Sequence, residues 1–379
     1  MRISARRRSF PIHARLAGLL LVAAHGAIAQ SPSIPDRLAD TTFWRMVTTM
    51  SEPGGFFRSE NFVSNETSYQ WVIPELLRTT RPGGVYLGVG PDQNFTYIIA
   101  LQPKIAFIFD IRRQNLLQHL MYKALIENAP DRADFVAALF ARPRPPGLDS
   151  ATRDSALLAA YAAVAPDSTL YRKTLAAIFD RLRAAHGFAL SNDDSVTIAG
   201  VYTAFVEYGP DITYSSGGRG YGRFMPSYAD MQAAADSDGV HRSYLASEAN
   251  YRALRQMELD NRIVPLVGDF AGPTAIRAVG AWLKERNASV TAFYLSNVEQ
   301  YLFQDPQNWR SFYTNAGTLP LDSSSTFIRS QFGGLGGYYG PYGRGGMRSR
   351  QLLASMMDQV KAFNEGRLTS YYEVLNTSR

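Results

Sequence analysis

The sequence predicts an α/β protein, a doubly wound sheet interrupted by a helical insertion. Three observations carry this. Val85 to Asp110, reading VYLGVGPDQNFTYIIALQPKIAFIFD, is an apolar run, a glycine turn, an amphipathic segment, a second apolar run and an acid, the form of a βαβ unit. The same rhythm resumes after residue 260, with apolar runs at Ile263–Val267 and Val290–Leu295. Between the two stretches, residues 131–260 carry alanine-rich helical patterns. With 379 residues and 46% hydrophobic content the chain can bury one large core or two ordinary ones, which excludes disorder as a whole.

Residues 1–29 are set aside from the fold. Arg2, Arg6, Arg7, Arg8 and Arg15 precede the apolar run Leu16 to Ala24, and Ala27-Ile28-Ala29 stands before Gln30. A basic region, a short apolar region and a small-x-small site make a secretory signal peptide. Its nine-residue apolar run is far shorter than the ~20 residues a spanning helix needs, so no stable membrane insertion is expected after cleavage. Bacterial export to the periplasm or beyond is the expectation, and Arg7-Arg8-Ser9-Phe10 resembles the twin-arginine pattern. The leader holds five arginines and no acid, so without it the formal charge falls from +6 to +1. The basic balance therefore belongs to the export signal, and it argues for neither nucleic acid nor a membrane surface as partner. A chain without cysteine has no disulfide, no thiolate nucleophile and no cysteine-ligated metal.

Residues 30–80 read as an N-terminal helical segment that caps the pocket. Phe43, Trp44 and Val47 share one helical face, and Gly54-Gly55 breaks the pattern. From 56 to 66 polar groups alternate with aromatics, and Ser59, Asn61, Asn65 and Glu66 are the candidates to line a pocket. Thr67 and Gln70 have capping-box spacing, which predicts a helix starting near residues 64–67 with Trp71, Val72, Leu76 and Leu77 on its apolar face. Residues 81–130 form the first half of the core. Pro82-Gly83-Gly84 turns into a strand at Val85–Leu87, and Gly88-Val89-Gly90 follows with Pro91 at the expected first helical position. Ile105–Phe109 is the second strand and Asp110 closes it, 20 residues after Gly90. A glycine turn between strand and helix, with an acid at the end of the next strand, is the arrangement that binds a nucleotide's ribose. Pyrophosphate needs free N–H groups at the helix start, and this loop offers Pro91 followed by Asp92 and Gln93. A ligand with a ribose and an amino-acid tail and no phosphate, such as S-adenosylmethionine, suits it better.

In the insertion, helices are expected at Arg132–Ala141, Ala151–Ala163, Thr169–His186 and Val196–Tyr208, followed by an aromatic and glycine-rich loop, Tyr214 to Tyr228. Asp236 and Asp238 sketch a calcium loop, but its terminal bidentate acid is absent and turn chemistry is the better reading. Residues 261–331 form the second half of the core. Its first strand ends at Gly268-Asp269-Phe270, helix Ala275–Arg286 follows, strand Val290–Leu295 leads into Ser296-Asn297-Val298-Glu299, and a further strand is expected at Phe327–Ser330. Residues just beyond strand C-termini line the crevice of such a sheet, so Gly88, Asp110, Asp269 and Asn297 are expected to converge. A Gly/Tyr-rich loop, 332–350, and a C-terminal part, 351–379, with a helix at Leu352–Phe363 end the chain.

These residues resemble the class I S-adenosylmethionine-dependent methyltransferase fold, a Rossmann-like sheet. Gly88-Val89-Gly90 is similar to its glycine loop, Asp110 to its ribose acid, Gly268-Asp269-Phe270 to its adenine-holding turn, and Ser296-Asn297 to its substrate position after the fourth strand. The phrases SENFVSNE, SYLASEANYRAL, VPLVGDFAGP and FYLSNVEQYLF resemble those of an uncharacterised exported bacterial family with this core. The resemblance implies S-adenosylmethionine as cofactor, with Tyr86, Gly88, Gly90, Asp110, Asp269 and Phe270 around it. Glu66, Asn297 and Glu299 would be the catalytic groups, and Ser59, Asn61 and Asn65 would hold the acceptor. No metal enters this scheme.

One position departs from the pattern. The methyltransferases usually carry an acid two residues before the first glycine, and here that residue is Tyr86. Export also separates the protein from the cytoplasmic supply of cofactor. A second reading therefore stands beside the first: a non-catalytic exported protein that keeps a Rossmann-like pocket for a small molecule or partner. GxSxG, HExxH and P-loop motifs are all missing, and His119, His186 and His241 lie in unrelated contexts.

Overall fold

Apolar runs without polar alternation make strands covered on both faces, and three of them form one side of the sheet. These are β1 (Val85–Val89), β2 (Ile105–Asp110) and β3 (Ile263–Val267), buried at every position. The computed structural model describes Met1 and residues 33–215, 225–332 and 349–379. The signal peptide expected over 1–29 lies outside the described residues, as do 216–224 of the aromatic loop and 333–348 of the Gly/Tyr-rich loop. β4 (Val290–Ser296), β5 (Leu321–Phe332) and β6 (Ser349–Ser355) complete a six-stranded sheet of order β3-β2-β1-β4-β5-β6. Neighbours from β3 through to β5 are parallel, and β6 runs antiparallel to β5. The chain reverses direction across the sheet between β1 and β4, the switch point at which such sheets open a crevice. The result is a mixed α/β architecture, mostly parallel and flanked by helices, compatible with a Rossmann-like fold.

Two elements differ from expectation. Leu352-Leu353-Ala354 belongs to β6 and not to a helix, because Phe327, Ile328 and Arg329 of β5 pair with it across the sheet edge. The helix begins only at Met356, as α12 (Met356–Asn364), capped by Ser355. The helix expected from residues 64–67 starts at Ile73, as α2 (Ile73–Thr79), since Pro74 has no N–H to give and fits only a first turn. Residues 67–72 are turns, and Trp71 and Leu77 are exposed where an apolar face was expected.

Helices α3 (Gln93–Leu101) and α4 (Arg113–Asn128) follow β1 and β2. Between α4 and β3 lie α5 (Arg132–Phe140), α6 (Asp154–Ala162), α7 (Ser168–Phe179), α8 (Asn192–Tyr208), α9 (Tyr228–Gln232) and α10 (Glu248–Leu259). They form no separate domain: α8 and α10 pack on α4, and the Tyr251 hydroxyl donates to the carbonyl of Ala129 at 3.0 Å. The Asp236 loop is turn chemistry, its carboxylate accepting from the N–H groups of Asp238 and Val240 and from Arg242. No described helix is long and apolar enough to cross a membrane.

Helix α1 (Asp40–Thr49) packs beside β3, and the chain then runs as a strap along the C-terminal edge of the sheet. Glu52 donates its N–H to Val267 at the end of β3 and caps helix α11 (Ala275–Lys284) by accepting from the N–H groups of Thr274 and Ala275. Gly55 donates to Ile111 beyond β2. Arg112, Gln114 and Gln118 then hold the carbonyls of Ser59, Glu60 and Phe62. The strap ends at Glu66, whose carboxylate meets Tyr294 and Ser296 of β4, Ser330 of β5 and Gln351 of β6. A segment with little secondary structure is thus fixed at each strand end it crosses, and it roofs the crevice.

Candidate functional site

Beneath the strap lies a cavity of about 820 Å³ at the switch point. Of the residues expected at a site, Ser59, Asn61, Asn65, Glu66, Gly90, Asp110, Asp269, Phe270 and Asn297 line it. Tyr86, Gly88 and Glu299 do not, and each has another occupation.

Gly88 serves packing. A Cβ there would lie 1.9 Å from Asn94 Oδ1 and 2.8 Å from the Tyr86 ring. Asn94 accepts from the Tyr86 hydroxyl at 2.8 Å and donates to the carbonyls of Val89, Gly90 and Pro91 at 3.0, 3.2 and 2.8 Å. Tyr86 is therefore a buried strut for Asn94, and Asn94 a clasp for the glycine loop. Gly90 meets a different demand, a φ of +82° that disfavours any side chain. Helix α3 starts at Gln93, with Asp92 at its cap, so Pro91 precedes the helix instead of opening it. Glu299 pairs with Arg329, both 2% exposed, and accepts from the Tyr313 hydroxyl at 2.6 Å, a buried ion pair outside the cavity.

Asp110 reaches the cavity but is already held. Arg112 grips it twice, Nε to Oδ1 at 2.9 Å and Nη2 to Oδ2 at 2.8 Å, and the Arg112 N–H adds a third bond to Oδ1 at 2.9 Å. The same guanidinium donates through Nη1 to Ser59 and Glu60 and lies against Phe57, whose ring meets Tyr301 edge-on at 5.5 Å. Asp269 accepts from the Ala271 N–H at 2.9 Å and donates its own N–H to Glu52. Phe270 stacks on Phe312 behind the wall, with 5.5 Å between centroids.

Glu66 is the chemical centre of the opposite end. It is 1% exposed and receives the hydroxyls of Tyr294, Ser296 and Ser330 and the amide of Gln351. Burial raises its pKa above the usual carboxylate value, and these neutral donors only partly offset that. Ser296 and Asn61 both take positive φ, 52° and 50°, which asparagine tolerates and serine rarely adopts. The bond to Glu66 holds Ser296 in that conformation. Burial shifts two further groups behind the glycine loop. Burial lowers His119 to about 4, so its Nε2–H donates to the Gly90 carbonyl at 2.9 Å, and burial lifts Asp92 to about 7. Gln93 lines the cavity, donating Nε2 to the Val89 carbonyl at 3.2 Å and leaving Oε1 unpartnered. Among the described residues no group of three His, Cys, Asp or Glu side chains could hold a metal.

A family model described as Domain of unknown function (DUF7790) matches residues 61–148 and 161–351. The chain belongs to the DUF7790 family. The matched residues run from the end of the strap through β1–β5 into β6, and within this DUF7790 core lie Asn61, Glu66, Asp110, Asp269 and Asn297. No curated protein matches the chain.

Sequence reasoning missed Arg112, Asn94, Gln93, Tyr301 and the cage around Glu66. Only Arg112 carried a local signal, an arginine two residues past an acid at a strand end. The others depend on contacts between distant parts of the chain.

Proposed function

We propose that this protein binds a small molecule in the switch-point cavity and that it is not a methyl-transfer enzyme. Hydrogen-bond accounting around the glycine loop carries this reading. S-adenosylmethionine needs acceptors for an α-ammonium and for ribose hydroxyls. A carbonyl oxygen has two acceptor lone pairs. The Val89 carbonyl takes Gln93 and the Gly90 carbonyl takes His119, and the two Nδ2 hydrogens of Asn94 are shared among these two carbonyls and that of Pro91. The Pro91 carbonyl takes both the side chain and the N–H of Asn94. Asp110, the ribose acid of the resemblance, is neutralised by Arg112. At the glycine loop and Asp110, where the resemblance would place that cofactor, few acceptors are therefore left for it.

Calorimetry tests the reading. Purified protein should give no heat with S-adenosylmethionine or S-adenosylhomocysteine at millimolar concentration. A thermal-shift screen of nucleosides, polyols, amines and carboxylates should give stabilising compounds whose effect disappears in Asn297→Trp, which places a bulky ring in the cavity. Submillimolar S-adenosylmethionine binding that Asp110→Ala abolishes would establish the methyltransferase reading instead. That second reading, with a methyltransferase-type sheet, draws its support from Gly90, Asp110, Asp269, Phe270 and Asn297 sharing one cavity. In it Glu66 and Asn297 would position the acceptor.

A further inference from the structure

The cavity's polar groups are unequal in kind, and the imbalance identifies a ligand class. This inference rests on reading the cavity as a small-molecule site. Glu66 is a buried carboxylate with no Lys, Arg or His within ion-pair distance among the described residues, and its Oε1 accepts from Ser296 alone. Gln93 is 4% exposed, and its Oε1 has no partner. The amide orientation is not arbitrary, because the Val89 carbonyl accepts and so requires the nitrogen on its side. Asn61 Oδ1 is likewise unpartnered. Asp269 has no cationic partner among the described residues.

Asn65, Asn297, Tyr301 and Asn308 supply neutral donors, but free cations are scarce by comparison. The Arg112 guanidinium is occupied by Asp110 and by the carbonyls of Ser59 and Glu60. Arg58, exposed on the strap, is the other cation among the described lining residues. Phe57 and Tyr301 supply aromatic wall, a surface that suits an apolar body and attracts a cation. We propose that the ligand carries a primary or secondary ammonium on an apolar body, with the ammonium seated between Glu66 and the free amide oxygen of Gln93. Such a group offers only donors and brings the positive charge that Glu66 lacks.

Three isosteric probes test this by calorimetry on the purified protein: 2-phenylethylamine, 2-phenylethanol and phenylacetate. The amine should bind at least tenfold more tightly than the alcohol, and phenylacetate should be the weakest. Glu66→Gln, which keeps the shape and removes the charge, should weaken the amine at least tenfold and leave the alcohol unchanged. Gln93→Met should weaken the amine several-fold. An alcohol or carboxylate that binds as well as the amine overturns the inference, and so does Glu66→Gln without effect. If Glu66→Gln does not fold, as judged by circular dichroism, the three probes on the parent protein and Gln93→Met decide. Silence from all amines while another compound binds in a manner lost in Asn297→Trp overturns the ammonium and leaves the binding reading standing. Silence from every compound overturns both.

Discussion

Gly88→Ala separates a glycine kept for packing from one kept for a ligand. The new methyl would lie 1.9 Å from Asn94 Oδ1 and 2.8 and 2.9 Å from two atoms of Tyr86, all in a wholly buried setting. Overpacking of this kind costs about 1–3 kcal/mol. Moving Asn94 aside also weakens its bonds to the Tyr86 hydroxyl and to the loop carbonyls, each worth about 1 kcal/mol. Replacing a strand glycine by alanine returns roughly 0.5–1 kcal/mol of chain entropy. The net loss is therefore about 3 kcal/mol, to be read from equilibrium urea unfolding followed by circular dichroism. With an unfolding entropy of about 2.1 cal/mol/K per residue, that corresponds to a melting temperature about 4 °C lower for roughly 350 folded residues. In an Asn94→Ala background the 1.9 Å contact is gone while the Tyr86 contacts stay, so the two substitutions should couple by about 1–2 kcal/mol. A Gly88→Ala protein within about 0.5 kcal/mol of the parent, or strict additivity with Asn94→Ala, would refute the packing account.

Asp92 should make stability fall with rising pH. Burial lifts its folded pKa to about 7 from 3.8, so between those values the native state keeps a proton that the unfolded chain releases. The native advantage is complete at low pH, declines from about pH 4 to 7 and is flat above. Asp92→Asn keeps an acceptor for Gln232 and Tyr244 and removes the charging penalty. At pH 8 it should exceed the parent in stability by on the order of 4 kcal/mol at most, with the difference vanishing near pH 4. Urea midpoints across that range check it, and a pH-independent difference would count against the assignment. Glu299→Gln leaves the buried Arg329 charge without its partner and should cost about 3–5 kcal/mol while ligand binding in the cavity stays unchanged. Calorimetry showing lost binding at intact stability would return Glu299 to the site.

What the sequence made legible follows local chemistry. β1, the glycine turn, α3, β2 and Asp110 are consecutive, and their period and breakers declare them. The helices between α4 and β3 were visible for the same reason. Leu352-Leu353-Ala354 was not, since a short apolar run suits strand or helix equally and its partner in β5 lies across a long loop. Capping-box spacing at Thr67 and Gln70 predicts too early a start for α2, because Pro74 fits only its first turn. Within the site, Asp110, Asp269 and Asn297 could be anticipated from their places at strand ends. Glu66 could be anticipated only as a polar residue in a cluster. Its cage draws on β4, β5 and β6, up to 285 positions away, and no local pattern encodes such a meeting.

A glycine turn and a downstream acid are commonly explained by the ligand they serve, yet the same residues can be required by the protein's own groups. Here the clasp of Asn94, the strut of Tyr86 and the grip of Arg112 use the acceptors that a cofactor would use. Each of these groups is buried, so a ligand could take its place only by leaving it unpaired, at about 1–3 kcal/mol per neutral group and more for the arginine. Displacing these groups from the loop thus carries an energetic cost. The proposed ammonium site uses instead the acceptors of Glu66, Gln93 and Asn61, shifted along the sheet edge from β2 toward β4 and β5. The strap that carries Asn61 and Glu66 is tied down by Arg112, so the Asp110 ion pair supports the cavity by holding its roof.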